Sequence, residues 1–172
     1  MWSQYARTGL LVLITVCLTP AAAPADIAER DSNGFYGIRW GTNLAEVGDL
    51  VLVESTNRIR TYELKHSPPQ VGNIPVDQLR FVAIEGQFAR VSIRYSGART
   101  HSRMMEYLQS QFGPIERGPG AMLRGLTQQF SWRDQETEAN LTYDSYRERG
   151  TVFIESRTLA PRFNDVIPDG AF

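Results

Sequence analysis

Between Ala89 and Tyr95 the chain alternates strictly: Ala89, Val91, Ile93 and Tyr95 are apolar, and Arg90, Ser92 and Arg94 between them are polar. Successive side chains of an extended chain point to opposite faces, so this segment suits a strand that is buried on one side and wet on the other. A sheet that keeps one face in water is built from antiparallel strands, because parallel crossovers would cover both faces. The rest of the chain is constrained by that choice.

Further strand candidates lie on either side. Arg58 to His66, Leu79 to Glu85 and Gln87 to Tyr95 form one group, the last two joined by the tight-turn signal Glu85-Gly86-Gln87. Gln128 to Arg133, Ala139 to Tyr146 and Thr151 to Thr158 form another. Each group follows a helical signal. Asn43 with Glu46 has capping-box spacing, and Leu44, Val47, Leu50 and Val51 recur at helical spacing, which predicts a short helix of about two turns. Gly97 to Thr100 leads into a second predicted helix, Ser102 to Phe112, with Met105, Leu108 and Phe112 on one face and Gly113-Pro114 as its stop. A short glycine-bounded strand, Gly34 to Gly41, precedes both groups. The expectation is an α+β domain: one antiparallel sheet from two α-β-β-β units, with two helices packed on one face.

The N-terminal stretch has a different character. Arg7 precedes the apolar run Leu10 to Leu18, Thr19-Pro20 breaks it, and Ala21-Ala22-Ala23-Pro24-Ala25 supplies small residues, the pattern of a signal peptide cleaved near Ala25. The run is shorter than the roughly 20 apolar residues of a membrane span, so no stable membrane insertion is expected after cleavage. Cys17 has Val16 before it, where lipoprotein processing prefers a small residue, so lipidation is disfavoured. The expected organisation is a signal peptide over 1–25, a spacer over 26–33, a single domain over 34–158 and a flexible tail over 159–172.

Cleavage after Ala25 would leave 147 residues, enough for one ordinary core, with no cysteine. The fold must then hold without disulfides, and thiol chemistry is excluded. The mature chain would carry 17 basic and 19 acidic residues, a balance that gives no reason to expect nucleic acid as a partner. Lys65 is the only lysine. This arginine bias fits either forked recognition of anions or codon usage in a GC-rich genome.

The opening run Gly34-Phe35-Tyr36-Gly37-Ile38-Arg39-Trp40-Gly41-Thr42, with Trp132 and Tyr143 further on, resembles a loosely defined set of uncharacterised bacterial exported proteins over Gly34 to about Thr158. That resemblance implies export and no particular activity. In topology alone the pattern is distantly similar to β-lactamase inhibitor proteins and to the small lipoproteins of the outer-membrane assembly machinery. The chain lacks the disulfides of the first and the lipid-attachment site of the second.

No catalytic set emerges from the residues. His66 and His101 lie on different elements, far from metal-ligand spacing, and both read as surface histidines. No serine sits on a nucleophile elbow. The loop Gly118 to Gly125 is glycine-rich but lacks the lysine and hydroxyl of a phosphate loop, so it reads as a connection or a partner contact. Asp134, Glu136 and Glu138 read as a solvated hairpin turn. The wet sheet face is the candidate site: Arg90, Arg94, Arg133 and Arg157 would point outward there, with Glu63, Lys65 and Glu155. The expected function is a non-catalytic periplasmic or secreted binding module without a cofactor, whose partner is an envelope protein or an acidic ligand. It would use that face or the loops 67–75 and 118–125. The alternative is a hydrolase of an envelope polymer acting through a carboxylate pair.

Overall fold

The structure, a computed structural model, describes residues 33–115, 121–124 and 126–165. The expected signal peptide with Cys17, and the spacer up to residue 32, lie outside the described residues. So do 166–172 of the expected tail.

The chain opens with a hairpin, β1 (Gly34–Phe35) and β2 (Ile38–Arg39), rather than the single strand expected over Gly34 to Gly41. Tyr36 and Gly37 both have positive φ, 60° and 74°, which is the backbone a two-residue hairpin turn needs. Eight strands then form one antiparallel sheet: β3 (Leu50–Ser55), β4 (Ile59–Leu64), β7 (Gln78–Ile84), β8 (Gln87–Ser96), β9 (Ala121–Arg124), β10 (Thr127–Arg133), β11 (Thr137–Asp144) and β12 (Arg149–Ser156). Between β4 and β7 a small hairpin is made by β5 (Gln70–Val71) and β6 (Ile74–Pro75). One helix, α1 (Ala98–Phe112), separates β8 from β9. The sheet order is β3-β4-β7-β8-β12-β11-β10-β9, so β8 and β12 meet at its centre.

The protein is therefore α+β and mostly antiparallel sheet, with one helix among the described residues. The helix expected around Leu44 to Val51 does not form. Asn43 does cap, its Oδ1 accepting from the Ala45 amide and its Nδ2 donating to Glu46, but only one 3-10 turn follows, Leu44–Glu46. Gly48-Asp49 ends the turn, and the β-branched Val51 and Val53 favour extended chain, so Leu50 starts strand β3 at the sheet edge. The helical spacing of Leu44, Val47 and Leu50 is spread over a turn and a strand.

Three further departures matter. Residues 121–124, expected within a connecting loop, form the opposite edge strand, paired with β10. The loop 67–75 is not a plain connection: it forms the β5–β6 hairpin, with Val71 and Ile74 buried and Arg103 of α1 donating to the carbonyl and side chain of Asn73. The chain also stays packed beyond Thr158, in the first part of the expected tail. A 3-10 turn, Ala160–Phe163, lies over Ile84 and Ala89, with Leu159 and Phe163 buried.

The main core lies between α1 and one sheet face, where Met104 and Leu108 meet Phe81, Phe88, Val91, Ile93, Leu141, Val152 and Ile154. Trp132, buried beside them, donates to the Gly113 carbonyl at the end of α1. Ala89 departs from the alternation. The β7–β8 ladder shifts between Val82/Arg90 and Ala83/Phe88, so Ala89 is the extra residue of a bulge. Phe88 takes the inner position, and Ala89 packs outward under Leu159 and Phe163.

Candidate functional site

The outer face of the sheet carries a row of charged cross-strand neighbours. Register places Arg133 of β10 opposite Glu138 of β11, Glu138 opposite Glu155 of β12, and Glu155 opposite Arg90 of β8. Period-two alternation puts all four on one side, and each arginine bonds a glutamate beside it. Arg90 Nε donates to Glu155 Oε2 at 2.6 Å. Arg133 donates to Glu138 Oε2 through Nε at 3.0 Å and Nη2 at 2.8 Å. Glu138 thus belongs to the strand rather than to the solvated turn that holds Asp134 and Glu136.

The turn Ala160–Phe163 folds across one end of this row and makes it concave. Phe163 sits beneath Arg90, whose guanidinium carbon lies 4.2 Å from the ring centroid, with the Phe153 ring at 5.4 Å. Such contacts satisfy a guanidinium's face while leaving its in-plane donors available. Arg162 anchors the turn to the β7–β8 hairpin through Gln87 at 2.9 Å and Glu85 at 3.6 Å. The result is an open cavity of about 370 Å³ lined by Arg90, Arg133, Arg157, Glu138 and Glu155, with Ala160, Pro161 and Asn164 as its wall.

Arg157 enters from just past the end of β12. Its Nη1 donates to the carbonyls of Asp134 at 2.7 Å and Gln135 at 3.1 Å, which ties it to the β10–β11 turn. Among the described residues it makes no ion pair. Of the four arginines read from the sequence, three therefore converge. Arg94 does not: it is exposed on β8 opposite Thr151 and Gln78, two positions along the strand from Ser92, and lines no part of the cavity. Glu63 and Lys65 are also elsewhere, Glu63 paired with Arg80 and Lys65 bonded to the Gly48 carbonyl. Sequence reasoning missed the wall, because Ala160-Pro161 followed by Arg162-Phe163 carries no periodic signal.

A second polar cluster lies on the inner face. The His101 ring stacks on Tyr143 at 3.7 Å between centroids and 3° between planes, and its Nδ1 shares a 2.7 Å hydrogen bond with the Tyr95 hydroxyl. His101 is half-buried, not a surface histidine, because the helix starts at Ala98 and turns this position toward the sheet. Burial holds its pKa below the ordinary value, against a hydrogen bond with Gln128 that acts in the opposite direction. Burial also pushes the Tyr95 hydroxyl up, with Tyr143 adding to the shift. Tyr143 is raised by burial and then by the charges of Glu148 and Asp144. The three rings pack against one another between the first turn of α1 and the inner sheet face. His66 is exposed just past β4, away from these rings.

No helix among the described residues is long and apolar enough to cross a membrane. No family model, curated protein or solved structure matches the chain. The cavity on the outer face must be interpreted from its own chemistry.

Proposed function

We propose that this protein is an exported, non-catalytic binding module, directed by residues 1–25 to the periplasm or beyond, which holds an acidic group of an envelope partner on its outer sheet face. The observation that carries this reading is the convergence of Arg90, Arg133 and Arg157 on one concavity. Guanidinium donors gathered in a recess suit recognition of an oxyanion better than solvation of a sheet face, where cross-strand pairs would suffice. The meeting of β8 and β12 at the sheet centre also supports a reading of the chain as two consecutive units, each a helical turn or helix followed by four strands of the large sheet, one more per unit than the α-β-β-β pattern expected from the sequence.

The hydrolase alternative has one supporting feature, the juxtaposed Glu138 and Glu155. Each of these carboxylates already accepts from an arginine in the same row, so the pair is engaged in holding the cross-strand row together. The binding reading is tested by in-cell cross-linking of the full-length protein carrying Arg133→Glu and Arg157→Glu together. The charge reversal is expected to abolish capture of the envelope partner, whereas Arg99→Glu, on the exposed side of α1, leaves it intact. Equal capture by both would overturn the assignment of the site.

A further inference from the structure

The donors that remain unused in the cavity define its ligand more closely. Arg133 spends both Nε and Nη2 on Glu138, and Arg90 spends Nε on Glu155, so neither retains the side-on fork that grips a planar oxyanion with two parallel hydrogen bonds. Arg157 differs. Its protein contacts use Nη1 alone, and among the described residues nothing accepts from Nε or Nη2. The bonds from Nη1 to the Asp134 and Gln135 carbonyls fix the guanidinium plane, so the fork is pre-organised.

Charge selects between oxyanions. Three guanidiniums and two carboxylates line the cavity, leaving one net positive charge, which suits a monoanion. A dianionic phosphate would stay undercompensated and would approach the two glutamates closely. The cavity wall is apolar at Ala160 and Pro161. An apolar group adjoining the anion would have a surface to cover.

We infer that the cavity takes a single carboxylate on the Nε–Nη2 fork of Arg157, presented by a peptide whose neighbouring apolar side chain lies against Ala160 and Pro161. This rests on the binding reading above and narrows its ligand. The carboxylate could be a chain terminus or an acidic side chain, and the two sources are separable by experiment.

The test uses the folded protein and four probes: N-acetylphenylalanine, its amide, N-acetyl-phenylalanyl-aspartic acid amidated at its α-carboxyl alone, and inorganic phosphate. The readout is the Arg157 Nε–H resonance in proton–nitrogen correlation spectra, identified by its loss in Arg157→Lys, together with the Ala160 amide. N-acetylphenylalanine or the aspartyl probe should shift both signals, and whichever binds more tightly identifies the source. The uncharged amide should shift neither. Arg157→Lys, which keeps the charge and loses the fork, should weaken binding by about ten-fold or more. Binding of the amide as tight as that of the acids, tighter binding of phosphate, undiminished binding by Arg157→Lys, or silence from both carboxylate probes would each overturn the inference. Partner capture that still depends on Arg133 and Arg157 would, in any of those cases, leave the broader binding reading standing.

Discussion

The ring of Tyr95 lies directly over Gly150, its cross-strand partner, so closely that a Cβ on Gly150 would occupy the same space as the ring. Gly150 in turn pairs with Tyr143 on the next strand, and the two tyrosine rings stack above it at 6.4 Å with 10° between planes. The glycine is required here by close approach rather than by a positive φ. Gly150→Ala is expected to push Tyr95 out of its rotamer and to lower stability by about 1–3 kcal/mol, the usual range for overpacking a core. A shift of the urea midpoint to lower concentration at unchanged slope would be the expected result, and an unchanged midpoint would show that the ring can move freely.

His101, on the first turn of α1 and packed against these tyrosines, makes stability depend on pH. Its folded pKa lies below the ordinary 6.5 because burial disfavours the imidazolium, so the unfolded chain takes up a proton first as pH falls. The His101 contribution is fully present above the ordinary value. It is lost as pH drops through 6.5 toward the lower folded pKa, and it becomes constant below that. Tyr95, Tyr143, Gln128 and Phe130 surround the ring, and the charges of Glu148 and Asp144 act on Tyr143. Urea unfolding between about pH 7 and pH 5 should show stability falling on acidification in the native protein, with a shallower slope in His101→Phe. Equal slopes would assign the dependence to other groups.

Much of the sheet was legible because period-two alternation survives wherever one face is buried. Six strands fall where the pattern puts them, within a few residues at their ends. What escaped did so for physical reasons. Strand β3 was hidden because its residues are exposed at an edge, so burial imposes no alternation, and Leu50 happens to continue the helical spacing of Leu44 and Val47. The bulge at Ala89 reverses one side chain, and nothing in an apolar Phe88-Ala89 pair says which of the two faces in. Of the site, Arg90, Arg133 and Arg157 follow from strand phase. The partnership of Glu138 with Glu155 needed the register, and the cavity needed the turn that walls it.

That turn is held chiefly by one side chain. Phe163, 3% exposed, fills the space between Ile84, Ala89 and the underside of Arg90. Replacing it with alanine removes both the apolar burial and the cation–π contact, and is expected to cost about 3 kcal/mol, the lower end for a buried phenylalanine because a surface cluster can partly collapse. A chain ending at Thr158 should show a comparable loss. Thermal unfolding of both variants checks this, and a wild-type melting temperature for either would mean that the turn contributes little to the fold.

The two glutamates set the charge that the cavity offers, and they can be altered without touching the arginines. Glu138→Gln with Glu155→Gln keeps side-chain size and raises the net charge of the lining from one positive to three, because both carboxylates seen there are removed. Freed from Glu138, Arg133 would regain its own fork, and Arg90 would keep its seat on Phe163. The expected outcome is a reversal of preference: inorganic phosphate binds more tightly than in the native protein, and more tightly than a monocarboxylate, with a steeper dependence on salt. Titration of both anions at low and at physiological ionic strength measures this. If the double variant binds phosphate no better than the native protein does, the glutamates are not what fixes the selectivity of the cavity for a monoanion.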